Sequence, residues 1–184
     1  MTTDADALIY TDAVMKDAIN RVRDKYNLPY GWLNEDFKNT NSYTEKLRGV
    51  SVPYRTVSNI LHIRTIAAEY LIAMKAMSGR QYKFDLSDIV GVLWEHDKRG
   101  NPISRATVDK AVCELYEEQP LPVVSMQLLN DVFGNKDYER IYTGAREKEK
   151  RAKEILLDFE QDNPNVLTGD NIDSVLEQAR RKRK

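Results

Sequence analysis

Apolar and polar positions alternate at the start of the chain. Ala5, Ala7 and Ile9 fall on one side and Asp4, Asp6, Leu8 and Tyr10 on the other, which is the period of a strand. Thr11 then offers a cap for a helix whose apolar face would be Val14, Ala18, Ile19, Val22 and Tyr26. Pro29 and Gly31 break the pattern, and Trp32, Leu33 and Phe37 read as a short turn that plugs the core. Residues 38–48 are polar and irregular. Two strand-like runs follow, Gly49 to Val57 and Ile60 to Ile63, with Ser58-Asn59 as the turn.

From Ile66 the spacing becomes helical. One helix is predicted to Met77 and ends at Ser78-Gly79; a second runs from Leu86 to Asp97 and stops at Gly100-Asn101-Pro102. Ser104 caps a third, and Pro120 and Pro122 separate it from a fourth at Val123 to Phe133. A long charged helix spans Asp137 to Phe159 with an apolar stripe of Ile141, Ala145, Ala152, Ile155, Leu156 and Phe159. Residues 162–169 read as a linker, and an amphipathic basic helix from Asn171 to Lys182 closes the pattern. Early strands followed by many helices give an α+β fold with a small sheet and a mostly helical C-terminal half. The expected division is 1–98 as a sheet-containing domain, 99–161 as a helical continuation and 162–184 as linker and last helix.

Composition narrows this picture only a little. The chain has 184 residues, 41% of them hydrophobic, enough for one core. Its net charge of −1 gives no overall bias towards nucleic acid. The basic run Arg180, Arg181, Lys182, Arg183 and Lys184 is read first as a solvated helix end and second as a contact for RNA. One cysteine, Cys113, excludes an intrachain disulfide, and its apolar neighbours predict a small buried residue. A chain without a disulfide, a signal pattern or a membrane-length apolar run is expected in the cytoplasm.

Chemistry can be sought in two places. Asp4 and Asp6 are two apart in a strand and project from one face, where a divalent cation such as Mg²⁺ would relieve their repulsion. Taken alone, the pair is more simply a solvated terminus. Lys75 and Arg80 suit phosphate, and Asp85 and Asp88 share a face at the next helix start, where an aspartate can orient or deprotonate a nucleophile. The bland alternative is acids favoured by the helix dipole and a lysine reaching along its helix. His62 is expected to be a partly buried structural residue, and His96 a cation at a helix end.

The order of these pieces resembles the abortive-infection, AbiEii-like branch of the nucleotidyltransferase superfamily. The resemblance rests on Thr3-Asp4-Ala5-Asp6-Ala7-Leu8-Ile9, on Leu28-Pro29-Tyr30-Gly31-Trp32-Leu33-Asn34, on Glu69-Tyr70-Leu71-Ile72-Ala73-Met74-Lys75-Ala76, and on Arg80 with Asp85-Leu86-Ser87-Asp88-Ile89. It covers about half the chain. It implies a nucleotidyltransferase-like mixed sheet and Mg²⁺-dependent transfer of a nucleoside monophosphate from an NTP. Asp4 and Asp6 would hold the metal, Lys75 and Arg80 the triphosphate, and Asp85 or Asp88 would be the later catalytic acid. Toxins of toxin–antitoxin pairs belong to this branch, so an RNA or protein acceptor is implied. The family's Gly-Ser phosphate turn precedes Asp-x-Asp and would fall ahead of Met1, so the expected match is to an N-terminally truncated member. The other reading is a non-catalytic interaction protein on the same fold, binding a protein partner or a second copy through the stripe on the long helix.

Overall fold

The computed structural model describes residues 5–9, 13–169 and 171–182. Asp4 and Thr11 lie outside the described residues, as do Arg183 and Lys184. The chain forms two compact units, residues 1–44 and 45–184.

In the first unit, β1 (Ala5–Asp6) pairs in parallel with β2 (Leu33–Asn34), with α1 (Ala13–Tyr26) between them in sequence. The register sets Ala5 opposite Leu33 and Asp6 opposite Asn34. Flanking hydrogen bonds from Ala5 N to Trp32 O (2.6 Å) and from Ala7 N to Asn34 O (2.9 Å) complete the pairing. The strand is shorter than the alternation predicts, because the stretch that pairs with it is equally short. The apolar spacing of α1 is not buried: Val14 is 71% exposed and Tyr26 62%, and only Ile19 of the expected face is half-buried. A single turn of 3-10 helix, Asp36–Asn39, follows β2.

The second unit opens with a 3-10 turn, Glu45–Arg48, and an antiparallel hairpin of β3 (Ser51–Val57) and β4 (Leu61–Ile66). Ser58 and Asn59 both take positive φ, 52° and 56°, as a tight hairpin turn of the favoured hand requires. Six helices follow: α2 (Ala68–Ser78), α3 (Asp85–Lys98), α4 (Arg105–Tyr116), α5 (Val123–Asn135), α6 (Tyr138–Asp162) and α7 (Ile172–Lys182). The fold is therefore α+β, with two small two-stranded sheets and a helical majority. Ile72 and Ala76 of α2, Ile89, Val90 and Leu93 of α3, Val108 of α4, and Leu129 and Val132 of α5 form one core. Ala152, Ile155 and Leu156 of α6 form another with Leu176 of α7.

The apolar stripe of α6 is thus consumed inside its own unit. Ala145, Ala152, Ile155 and Leu156 are buried, and Ile141 packs on the first core. The stripe is therefore not a free face for a second copy. No helix among the described residues is long and apolar enough to cross a membrane.

Candidate functional site

α2 ends where Gly79 adopts φ 54°, and its N–H donates to Lys75 O at 2.9 Å. This left-handed cap turns the chain towards α3. Phe84, just before α3, also sits at positive φ (63°), an uncommon conformation for a bulky residue. The two turns bring Lys75, Arg80, Asp85 and Asp88 together. Lys75 Nζ lies 2.8 Å from Asp88 Oδ2 and 3.4 Å from Asp85 Oδ1. Arg80 Nε donates to Asp85 Oδ2 at 2.8 Å. Asp85 is buried, so two cations hold a carboxylate that solvent cannot reach. Asp88 is more exposed, with 41% of its side chain accessible, and is the acid of the pair that meets solvent.

α6 supplies the underside of this corner. Glu149 is buried, and its Oε1 accepts the backbone N–H of Leu86 (2.8 Å) and of Ser87 (3.3 Å). It thereby satisfies amides at the start of α3 that have no partner within the helix. Its other oxygen, Oε2, has no hydrogen-bond partner among the described residues. Burial pushes the Glu149 carboxyl above the usual range, and the nearby Asp88 adds to this; bonds from Ser87 and Leu86 pull the other way. Arg146, one turn earlier, stacks its guanidinium 3.6 Å from the Phe84 ring centroid, donates to Ser87 Oγ at 3.4 Å and stands 4.0 Å from Asp88. Around Asp85 and Asp88 there are thus three cations, Lys75, Arg80 and Arg146, against two ion-paired carboxylates.

An open groove of about 420 Å³ runs from this corner along α3, lined by Lys75, Asp88, Gly91, His96, Arg99 and Tyr142 among others. A Cβ at Gly91 would lie 3.4 Å from the Tyr142 ring, in contact with it. Lys75 and Asp88 reach the groove, whereas Asp85 is sealed beneath it.

The four residues chosen from the second unit's sequence therefore converge. Of the pair assigned to metal, Asp6 is an exposed residue of β1 in the first unit, and Asp4 is outside the described residues. Among the described residues no group of three His, Cys, Asp or Glu side chains is placed to hold a metal ion. Arg146 and Glu149 were not singled out from sequence, since about sixty residues separate them from the corner they support. A signal existed: Glu149 falls within the otherwise apolar stripe of α6, between Ala145 and Ala152.

Two sequence expectations are corrected here. Cys113 is exposed, because it lies on the solvent side of α4 between buried Ala111 and Leu115. His62 is exposed as well, since the hairpin strand that carries it has no covering layer; its Nδ1 meets Thr56 Oγ1 at 3.1 Å. At the basic end of α7, Arg181 is solvated and pairs with Glu177 one turn back, and Arg180 donates to Gln81 at 2.9 Å. No family model matches the chain, and neither a curated protein nor a solved structure matches it.

Proposed function

We propose that the α2–α3 corner binds the phosphates of a nucleoside triphosphate, and that the chain is a nucleotidyltransferase-like protein. The observation that carries this reading is the convergence of Lys75, Arg80, Asp85 and Asp88, with Arg146 adding a third cation beside an open groove. A lysine is a compact charge for a phosphate oxygen, and an arginine is a planar fork for two of them. Asp85 holds both cations in place, and Asp88 is the acid within reach of a bound molecule.

Transfer would form a phosphoester bond from an acceptor hydroxyl to the α-phosphorus and break the bond from that phosphorus to the bridging oxygen. Pyrophosphate leaves with that oxygen, and Asp88 receives the hydroxyl proton. Asp4 and Asp6 would hold Mg²⁺. The exposed carboxylate of Asp6 has the hard oxygen that this ion prefers. When bound, the ion would supply a Lewis-acid positive charge.

The test is calorimetric binding of each of the four common NTPs, with and without Mg²⁺. Lys75→Ala is expected to weaken binding about tenfold, the equivalent of about 1.4 kcal/mol. Asp88→Asn should leave binding in place while abolishing nucleotide transfer to an added RNA or protein acceptor. A wild-type chain that binds no NTP overturns the reading.

A further inference from the structure

The hairpin of β3 and β4 carries an uncovered apolar face. By the register, Val57 stands opposite Leu61, Arg55 opposite Ile63, and Val52 opposite Thr65, so these six share one side of the ribbon. Val52, Val57, Leu61 and Ile63 are each about two-fifths exposed, and Tyr54 at the bulge is 72% exposed. The opposite side is satisfied within itself: Thr56 meets His62, and Arg64 Nε donates to Ser51 Oγ at 2.8 Å. A two-stranded hairpin is marginal in water by itself, and an apolar face of this kind marks an interaction surface.

Three features define the occupant. Both sheets among the described residues have two strands, so the hairpin has unpaired edges. Pro53 blunts the β3 edge, because it has no N–H, whereas β4 (Leu61–Ile66) contains no proline. From Leu47 to Ala68 there is no aspartate or glutamate, while Arg64 of β4 lies on the side opposite the apolar face. An open edge asks for an extended backbone, the face for alternate apolar side chains, and the charge for carboxylates. We propose that the β4 edge accepts an extended segment of a protein partner in which apolar and acidic residues alternate. A second copy of the hairpin would set arginine against arginine, and a nucleic acid would leave the valine, leucine and isoleucine face against phosphate.

The test uses the full chain and three fluorescent probes: a short peptide alternating valine and glutamate, its valine–lysine counterpart, and a single-stranded oligodeoxynucleotide. The acidic peptide is expected to bind at least about tenfold more tightly than the lysine peptide, and less tightly as salt is added. Arg64, on β4 and on the side opposite the apolar face, is the arginine the acidic residues would meet, so Arg64→Glu should remove most of that preference without changing the thermal unfolding of the helices. Methylating alternate backbone nitrogens of the acidic peptide should abolish binding, because strand addition needs those N–H groups. Equal binding of both peptides, preference for the oligonucleotide, indifference to methylation, or no binding by wild type each overturn the proposal. So does a dimer in light scattering that the acidic peptide dissociates, since the occupant would then be a second copy.

Discussion

At the scale of single residues, the two aspartates of the corner differ in what surrounds them. Asp85 is buried between Lys75 and Arg80, whereas Asp88 is partly in water. Removing a buried acceptor strands charged donors, so Asp85→Ala is expected to cost about 2–3 kcal/mol. Asp88→Ala should cost less than about 1 kcal/mol, as exposed ion pairs do. Urea unfolding of the two variants checks this, and equal losses would show that burial does not separate them. Glu149 gives a pH signature. Its folded-state pKa is raised by burial, so the native state holds the proton more tightly than the unfolded chain. Its contribution is fully present below the ordinary glutamate range and is lost as pH rises through the raised value. Glu149→Gln keeps an acceptor for the Leu86 and Ser87 amides but cannot ionise. The variant's stability is expected to stay flatter with pH than wild type over that window, by chemical denaturation at several pH values. Parallel profiles would show that the carboxyl does not titrate with folding.

At the scale of elements, turn chemistry determines where helices stop. A Cβ at Gly79 would come within 2.8 Å of Ser125 Oγ and 3.1 Å of Pro122 Cγ, in a left-handed conformation that alanine resists. Gly79→Ala is therefore expected to destabilise by about 2–4 kcal/mol, strain and overpacking together. A melting temperature within a degree or two of wild type would contradict that. Gly79 was readable as a helix end, and Ser104 as the cap of α4, where its Oγ accepts the Thr107 amide at 3.1 Å. Most helices of the second unit were legible for the same reason, an apolar run or period closed by a stop such as Gly79 or Gly100-Asn101-Pro102. The hairpin was legible through its Ser58-Asn59 turn. Burial was not. The apolar spacing of α1 resembles that of a packed helix, yet it is largely exposed, because spacing describes a face and not what lies against it. The corner was half legible: Lys75, Arg80, Asp85 and Asp88 are close in sequence, while Arg146 and Glu149 arrive only through the packing of α6 on α3.

At the scale of the whole molecule, the buried apolar side chains are distributed unequally. Among the described residues every buried hydrophobic side chain, from Leu47 to Leu176, belongs to the second unit, and Ser42 is the only buried residue of the first. A unit of 44 residues whose described residues include no fully buried apolar side chain is poorly placed to offset the conformational entropy lost on folding. The 140 residues of the second unit, 45–184, bury enough apolar surface to do so. Its two core clusters also share α6, which packs on α3 and on α7, so they should unfold together. Expressed separately, residues 45–184 are expected to keep a single cooperative thermal transition and the helical circular dichroism of α2 to α7. Residues 1–44 should show neither. If the shorter fragment melts cooperatively, burial is not what stabilises it; if the longer one loses its transition, its core depends on the first unit.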